Sequence, residues 1–590
     1  MRRLSYSAAV AGRQLSRRRV LRAGVGGAAG LAALSLACSG SNNNNSSKTT
    51  TNNAPANNAA AKPAASGSAA AVATVGGAST TAAGGAPVRG GTFRFVLQYN
   101  ITSLDPTYST NANDPTVYRS LFDSLFAFDA TGNLLPYLTD KWEIPGDGLT
   151  WTLHLHPGVK FHDGTAFNAT AAKFNIDRIL DPNNKSPQAG DVAQIASAEA
   201  PDDSTLVLKL KAPYSPLGFL LTGRPGFMFS PAAVQKYGAD TRTNPVGTGP
   251  FVFKEFLSDS HLTGTKNPNY WKMGADGKPL PYYDTINIIV NTDPTAQVAL
   301  VRSGQAEMLA TIDTATAQTL KSDANLVLLK GRTNPSGISL NMNRRDKPGP
   351  LNDMRLRQAV ALAIDPAAVV KVGLAGDGTV SPPQNFWYPE HWAYYADQYT
   401  IKRDLQQAKQ LLAAAGQPNG FEFSYIYIKG VSTQTLEIMQ ANLMDIGVKM
   451  TLDPQEVGVF ADNNMKGKWD AGGSTGGIYH VDPGPSLRRY YWSESGCAPG
   501  GTGVFGGGVF AGSGFNSCQF DQDMVKAEAT ADVNERKKIY QEMNMLWAQP
   551  WHAPKLYLAP SYTLARKSVR NAVLFPDGTP QFHEAWIVPS

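Results

Sequence analysis

The fold is decided by the stretch Asn244–Met308, which reads NPVGTGPFVFKEFLSDSHLTGTKNPNYWKMGADGKPLPYYDTINIIVNTDPTAQVALVRSGQAEM. Gly247 and Gly249 supply backbone freedom, and the neighbouring prolines fix φ. The segment PVGTGP therefore predicts a sharp turn before the strand-forming residues 251–256. A second turn is predicted at NPN, directly before the aromatic pair Tyr270–Trp271.

The second half of this stretch predicts a strand followed by a short helix. Apolar residues alternate in Ile286–Val290, as they do in a half-buried strand. Asp293 is a good helix N-cap, Pro294 suits the first helical position, and Gly304 ends the helix. The residues alone predict a unit of strand, turn, strand and helix, which is more often scaffold than functional site.

The order of motifs in this stretch resembles that of one family of receptors. PVGTGPF, NPNYW, an aspartate in a strand and a helix ending in SGQAEM follow one another as in family 5 of the extracellular solute-binding proteins of ABC importers, the peptide/nickel type. The resemblance continues from Gly90 to the C-terminus, through LDP at Leu104–Pro106, GVKFHDGT at Gly158–Thr165 and RLRQAVALAIDP at Arg355–Pro366. It implies a binding protein with no catalytic residues and no cofactor.

The resemblance also implies the fold class. We expect an α/β protein with the two-lobed type II periplasmic-binding-protein fold (cluster C), an extra small domain and a hinged ligand cleft. The expected division is lobe I at 89–119, 213–325 and 561–590, small domain II at 120–212, and lobe III at 326–560.

Local patterns in the second half of the chain predict alternating helices and strands, as an α/β lobe requires. The predicted helices are Met354–Ile364 after Asp353, Lys402–Gly416 and Thr433–Asp445, and the predicted strands are Phe421–Ile428 and Val448–Leu452.

Length and composition describe a soluble globular protein of two or three domains. The chain has 590 residues, is 42% hydrophobic and has a mean hydropathy of -0.25. Its formal net charge is +6, but seven arginines and no acid precede Cys38. Without them the formal charge is about -1, so the basicity belongs to a segment expected to be removed. A nucleic-acid partner is therefore not predicted.

The first 38 residues resemble an export signal. SRRRVL at Ser16–Leu21 resembles the twin-arginine motif, and a short, glycine-rich apolar segment follows at Ala23–Ala37. Cys38 resembles a lipoprotein acceptor cysteine, although Ser35 stands where the lipobox usually has a branched apolar residue. We expect a lipid anchor on the outer face of the cytoplasmic membrane, on the periplasmic or extracellular side. Residues 39–88 have too few large apolar side chains to fold and predict a disordered tether.

The two remaining cysteines, Cys497 and Cys518, predict a disulfide, because an exported protein folds in an oxidising compartment. Two free buried thiols are the alternative. The spacing excludes a CxxC redox or zinc site.

Peptide binders of the family hold the ammonium of the ligand with an aspartate four residues before the proline of an acidic-Pro pair. That pair is Asp482-Pro483 here, and Tyr479 occupies the aspartate position. A tyrosine is not a counter-charge at neutral pH, so the departure argues against ordinary free-amino peptides. His480 and Asp482 could compensate, or Tyr479 could simply pack.

Aromatic residues are frequent in the predicted cleft loops. Trp387, Tyr388 and Tyr491 could stack on sugar rings or apolar side chains, and Arg488 could bind an anionic group. Each of these aromatics could instead belong to the core. The eight histidines are scattered, and no metal site is predicted.

The leading hypothesis is a substrate-binding receptor that delivers a solute to an ABC permease for import. The expected partners are the permease and ATPase subunits and a small solute, namely an oligopeptide, an oligosaccharide or a metal chelate. We expect a monomer. A sensory receptor that is not coupled to transport is the alternative. A secreted hydrolase is disfavoured, because the chain has no GxSxG or HExxH motif, and GTGVFG at 501–506 lacks the strand-to-helix context of a nucleotide site.

Overall fold

The structure is a computed structural model that describes residues 85–109, 114–129, 133–342, 346–429, 431–472, 482–491, 517–574, 579–581 and 583–588. The predicted signal with Cys38, most of the predicted tether, Tyr479, His480 and Cys497 lie outside the described residues. Among the described helices, none has the length and apolar character needed to cross a membrane.

The strands of the described residues are short, except for two of twelve residues each. In chain order they are β1 Thr92–Leu97, β2 Phe126–Phe128, β3 Leu134–Pro136, β4 Thr139–Glu143, β5 Thr150–Leu155, β6 Ile195–Glu199, β7 Thr205–Leu210, β8 Phe251–Leu257, β9 His261–Lys266, β10 Thr285–Val290, β11 Met308–Ile312, β12 Leu326–Gly337, β13 Ser339–Leu340, β14 Thr379–Val380, β15 Glu422–Ile428, β16 Lys449–Gln455, β17 Ala471–Gly472, β18 Lys555–Arg566, β19 Val569–Arg570, β20 Val573–Leu574, β21 Pro580–Gln581 and β22 Trp586–Ile587.

The α-helices are α1 Pro115–Leu121, α2 Ala169–Leu180, α3 Leu217–Leu220, α4 Pro231–Tyr237, α5 Pro294–Arg302, α6 Thr314–Leu320, α7 Met354–Ala363, α8 Pro366–Ala368, α9 Leu405–Ala414, α10 Gln434–Met444, α11 Val457–Lys466, α12 Pro483–Tyr491, α13 Cys518–Ala529 and α14 Val533–Ala548.

The first sheet joins strands from both ends of the chain. Its order is β12-β18-β11-β1-β10-β9-β8, and β14 also pairs with β18. The first strand, β1, lies parallel to both β10 and β11, whereas β18 runs antiparallel to β11 and β12. Its apolar side chains are buried in a core that includes Phe93, Phe95, Ile286 and Ile288.

The second sheet is small and antiparallel, in the order β4-β5-β7-β6. One face is covered by α2, whose N-cap Asn168 accepts a hydrogen bond from the Ala171 N–H at 3.0 Å. Its core is separate from that of the first sheet and includes Trp151, Leu153 and Leu208.

The third sheet has the order β13-β17-β15-β16, with β15 parallel to β16 and β17. Helices α7, α9 and α10 contribute to its core. A neighbouring aromatic core is built by α12, α13 and α14 together with residues 386–393. The predicted helix and strand alternation of this half of the chain is confirmed to within a few residues at each boundary.

The predicted helix start at Asp293 is also confirmed. Asp293 caps α5 by accepting a hydrogen bond from the Ala296 N–H at 2.8 Å, and Pro294 is the first helical residue. Gly304 follows the helix with φ of +80°, a backbone conformation that favours glycine. Asp353 caps α7 in the same way, accepting from the Arg355 N–H at 2.8 Å.

The motifs GVKFHDGT and PVGTGPF contact each other through the side chain of His162. Its Nδ1 accepts a hydrogen bond from the Gly247 N–H at 3.3 Å, and its Nε2 donates to the Gly249 carbonyl at 2.9 Å. This pair of contacts requires the neutral tautomer with the proton on Nε2. Burial, the main cause, lowers the pKa of His162 to about 4. GVKFHDGT and PVGTGPF therefore form one structural unit.

Gly247 and Gly249 lie where the backbone leaves no room for a side chain. Neither adopts a positive φ, so the prediction that they supply unusual backbone freedom is wrong. A Cβ on Gly247 would lie 2.2 Å from the Leu121 carbonyl oxygen, and one on Gly249 would lie 2.5 Å from the Phe122 nitrogen. Glycine is required because two backbone segments touch here.

Candidate functional site

The long strands β12 and β18 form an antiparallel ribbon that connects two cores. Near one end, Leu328 pairs with Leu564 in the first sheet, and near the other, Ser336 pairs with Tyr557. The side chain of Leu564 lies in the core beside the first sheet, and that of Tyr557 lies in the core of the third. The ribbon therefore passes from one lobe to the other.

The ribbon is irregular near its middle. Lys330 pairs with Tyr562 and Thr333 pairs with Pro560, so β12 has one residue more than β18 between these pairs. Such a bulge locally increases twist and interrupts the ladder of hydrogen bonds. A second irregularity lies between Ser336 and Gly337, and at either place a hinge rotation would disturb the pairing less than in the regular part of the ribbon.

A polar contact ties the two lobes beside this bulge. Asp377, which precedes β14, accepts hydrogen bonds from the Tyr562 hydroxyl and from Gln318 Nε2, the latter at 2.7 Å. The ammonium of Lys330 lies 3.5 Å from the same carboxylate. The Asp377 carboxylate therefore joins α6 to both ribbon strands.

A second contact joins residues 214–216, beside the core of the second sheet, to the end of α13. The Ser215 N–H donates to the Glu528 carbonyl at 2.8 Å, and the Ser215 hydroxyl donates to the Thr530 carbonyl at 2.9 Å. A Cβ on Gly484 in α12 would lie 3.2 Å from Pro216 Cγ. The second sheet's part of the chain therefore contacts the aromatic core of α12–α14 here.

The carboxyl ends of parallel strands are where open α/β sheets bind ligands. In the third sheet, β17 ends at Gly472, and the predicted cleft residues Tyr479 and His480 follow it in the chain outside the described residues. The chain re-enters the described part at Asp482. In chain order the predicted cleft residues Tyr479 and His480 therefore follow β17, and their role stays a prediction.

Asp482 is buried and faces an arginine. Its Oδ2 lies 3.2 Å from the guanidinium of Arg536, and its Oδ1 accepts hydrogen bonds from the Gly484 N–H at 3.0 Å and the Tyr540 hydroxyl at 3.2 Å. Both Asp482 and Arg536 are nearly inaccessible to solvent. The carboxylate therefore already has a counter-charge from α14.

Arg488 is also paired. Its Nε donates to Glu528 Oε1 at 2.9 Å, and a second nitrogen contacts Oε2, so the pair is bidentate. Burial raises the pKa of the Glu528 carboxyl, and Arg488 opposes that effect. The structure thus gives Arg488 a partner from α13, and its predicted role with an anionic ligand stays a prediction.

The predicted aromatic contacts Trp387 and Tyr388 are buried. Trp387 stacks on His391 with ring centroids 5.3 Å apart and contacts Tyr540 edge to face at 5.8 Å. Its Nε1 has no hydrogen-bond partner among the described residues. Trp387 thus belongs to the aromatic core of α12–α14, the alternative that the sequence left open. Tyr491 ends α12, but its side chain lies outside the described part.

Cys518, the first residue of α13, is disulfide-bonded. Its predicted partner, Cys497, lies outside the described residues, so the pairing stays a prediction. Across the part of the chain that the structure describes, no group of three or more His, Cys, Asp or Glu side chains is arranged to hold a metal ion.

Lys555, the first residue of β18, was missed by the sequence analysis. Its side chain is 6% exposed, and burial lowers its pKa to about 8. The signal in the sequence is a lysine at the head of the apolar run LYL. A lysine at that place is unusual, because buried strand positions rarely hold charged residues.

The comparison with protein families decides the identity of the chain. Residues 133–496, more than half of the chain, match the model of the bacterial extracellular solute-binding proteins, family 5. The chain belongs to this family. Its members are binding proteins, described as extracellular, which agrees with the resemblance inferred from the motifs.

One relative is a glutathione-binding protein. The family 5 chain is 31% identical over 494 residues to GsiB of Pectobacterium atrosepticum, and the match covers 82% of this chain and 92% of GsiB.

Solved structures of similar proteins confirm the fold. DppA from Helicobacter pylori, solved in complex with the peptide STSA, matches with a TM-score of 0.72 at 23% identity and covers 85% of this chain and 98% of DppA. NikZ from Campylobacter jejuni, in complex with Ni(L-His), matches with a TM-score of 0.68 at 22% identity and covers 81% of this chain and 95% of NikZ. This family 5 protein therefore has the predicted α/β, two-lobed type II periplasmic-binding-protein fold.

Proposed function

We propose that this family 5 protein is the solute-binding subunit of an ABC importer, which captures a small peptide-like solute outside the cell membrane and delivers it to a permease. The observation that carries the proposal is the family match combined with two lobes that are joined by the ribbon β12–β18. A ribbon with a bulge at its centre suits a hinge, and hinge closure around a solute is how two-lobed receptors of this kind work.

The peptide-like class is proposed from the relatives. GsiB is named for glutathione, and the DppA structure contains a tetrapeptide. The burial of Trp387 in the aromatic core leaves its face covered, which weakens the support for a stacked sugar. A metal chelate, as in the NikZ structure, is the competing class.

The anchor and the domain division are parts of the same proposal. Cys38 would be lipidated, residues 39–88 would form the tether, and the folded body would work on the outer face of the cytoplasmic membrane as a monomer. The proposed division stays lobe I at 89–119, 213–325 and 561–590, small domain II at 120–212, and lobe III at 326–560. The separate cores of the three sheets support it.

The test is equilibrium binding by the purified protein. Glutathione, the peptide Ser-Thr-Ser-Ala, nickel with L-histidine and maltotriose are titrated separately, and the melting temperature is measured with each. A solute at one hundred times its Kd stabilises the native state by about 2.7 kcal/mol, which raises the melting temperature measurably. We expect saturable binding of a peptide-like solute. Binding of maltotriose or the nickel complex alone would contradict the proposed class.

A further inference from the structure

The backbone of Lys555 is fixed at the lobe III end of the ribbon. Lys555 faces Gly337, the last residue of β12. Its N–H donates to Gln384 Oε1 at 2.8 Å, and its carbonyl accepts from Gln384 Nε2 at 2.7 Å. Asn544, in α14, donates a side-chain hydrogen bond to the Gln384 backbone carbonyl at 2.9 Å. Two buried amides therefore position this lysine.

The ammonium of Lys555 has no partner of opposite charge. Among the described residues, none accepts a hydrogen bond from it or lies within ion-pair distance, and burial alone accounts for its lowered pKa. The residue is 6% exposed, so it is almost but not completely enclosed. Nζ lies over the face of the Trp547 ring, 5.3 Å from the ring centroid.

Three buried or half-buried arginines of the described residues are paired with carboxylates, which makes Lys555 different from them. These pairs are Arg178 with Asp105, Arg488 with Glu528, and Arg536 with Asp482. Arg357 instead donates to the backbone carbonyls of Pro550, Leu351 and Asn352.

One further cation, Arg357, acts on the same buried histidine as Lys555. His552 is buried three residues before it, and its pKa is lowered to about 3 by burial first and then by Arg357 and Lys555. Two cations thus act on one buried imidazole in a region where no carboxylate perturbs Lys555. Asp353 acts on Arg357, so the charge left without a carboxylate in this region is that of Lys555, which suits an anion.

An unpaired buried ammonium destabilises a fold, because its hydration is lost without a compensating charge. A methionine would fill the same volume without this cost. The ammonium of Lys555 has no carboxylate partner among the described residues, and Gln384 fixes its backbone, which together point to a partner that is not part of the chain.

We propose that Lys555 binds a carboxylate of the solute, so that the transported peptide-like solute carries its negative charge at the ribbon end of lobe III. The inference rests on the proposed function and names the chemistry at one end of the solute. A carboxylate suits a single ammonium because one negative charge is neutralised by one cation. Arg488, already bound to Glu528, is then not required for this role.

The test compares Lys555→Met with the wild-type protein. We expect the variant to melt at a higher temperature and to bind Ser-Thr-Ser-Ala at least about tenfold more weakly, the range for losing a hydrogen bond to a charged group. The C-terminal amide of the same peptide should bind the two proteins equally. Lys449→Met, which changes an exposed lysine on β16, is the matched control and should alter neither property.

Glutathione carries two carboxylates, that of glycine and the α-carboxylate of the γ-glutamyl residue. Amidation of the glycine carboxylate shows which of them Lys555 binds. If Lys555→Met weakens glutathione binding and amidation of the glycine carboxylate has no effect, the γ-glutamyl α-carboxylate is the bound group. If the variant weakens acid and amide forms equally, or melts at a lower temperature with unchanged affinity, Lys555 is structural and the inference is overturned.

An anion probe distinguishes failure of this inference from failure of the proposed function. If no peptide binds the wild-type protein, the proposed solute class fails. Sodium acetate is then compared with sodium chloride at equal ionic strength. Stabilisation of the wild type by acetate, but not of Lys555→Met, supports the carboxylate site independently. Equal melting temperatures of the wild type in both salts would overturn it.

Discussion

The indole Nε1 of Trp271 donates a hydrogen bond to Oδ2 of Asp123 at 2.9 Å, across 148 residues of chain. The Tyr270 hydroxyl donates to Oδ1 of the same carboxylate at 3.0 Å. Asp123 is almost completely buried, and burial raises the pKa of its carboxyl while these donors oppose the shift. The aromatic pair of NPNYW is therefore fixed by an aspartate from the segment after α1.

Replacing Asp123 with alanine should strongly destabilise the protein. The change leaves the buried Tyr270 hydroxyl and the half-buried Trp271 indole without their acceptor, and we expect a loss of about 3–5 kcal/mol in the free energy of unfolding. Asp177→Ala, which removes one partner of an exposed pair on α2, is the control and should cost less than about 1 kcal/mol. Urea unfolding measures both. Equal losses in the two variants would show that the Asp123 contacts are not stabilising.

Gly249→Ala tests the close approach of two backbone segments. The new Cβ would lie 2.5 Å from Phe122 N, so the backbone must move, and we expect a loss of about 1–3 kcal/mol in the free energy of unfolding. Gly146→Ala is the control, because no atom lies within 4 Å of its Cβ and its φ is not positive. That variant should be neutral or slightly stabilised, by up to about 1 kcal/mol. Identical melting temperatures would contradict the steric explanation.

The stability of the protein should fall as the pH is lowered below about 6.5. The pKa of His162 is near 4 in the folded protein, mainly because of burial, so between these pH values the unfolded chain binds a proton that the folded protein does not. Each such histidine lowers the free energy of unfolding by up to about 1.4 kcal/mol per pH unit. His552 and His583, whose pKa values are also lowered, act in the same direction.

The variant His162→Gln isolates the contribution of His162 to the pH dependence of stability. Its free energy of unfolding, measured in urea at pH 7, 6 and 5, should depend less steeply on pH than that of the wild type. The absolute stability at pH 7 can also change, because two hydrogen bonds are altered, but the slope reports only the titration. Parallel pH profiles for the two proteins would exclude His162 as a contributor.

Asp482→Asn should reduce stability and leave solute selectivity unchanged. The variant leaves the buried Arg536 without its counter-charge, which costs about 3–5 kcal/mol when a buried pair is broken in this way. Calorimetry with Ser-Thr-Ser-Ala and its N-acetylated form measures the selectivity. A specific loss of affinity for the free-amino peptide would instead show that Asp482 binds the ligand ammonium.

Much of the fold could be predicted because local chemistry determined it. Asp293 and Asp353 are strong N-caps, and the helices that follow them begin where the sequence predicted. The alternation in Ile286–Val290 gave a strand with alternating burial. These features depend on residues close together in the chain, so they can be recognised without knowledge of the tertiary structure.

The site was harder to predict because partners distant in the chain determine it. Asp482 and Arg488 were identified as polar residues near a cleft, yet their partners Arg536 and Glu528 come from other helices. Lys555 was missed for the opposite reason, since what distinguishes it is an ammonium without a carboxylate partner among the described residues. Periodicity indicates which face of an element is buried, but it does not indicate which charges meet there.

The position of β18 has a consequence for biosynthesis. This strand lies between β11 and β12 in the first sheet and also forms half of the ribbon, yet it begins more than 450 residues after β1. Translation must therefore be almost complete before the first sheet can close, and such long-range pairing slows folding. A chain truncated by a premature stop before β18 would lack an interior strand of the first sheet. It would also lack half of the ribbon that connects the two lobes. Quality control in the cell would then meet an unfinished protein with two open strand edges.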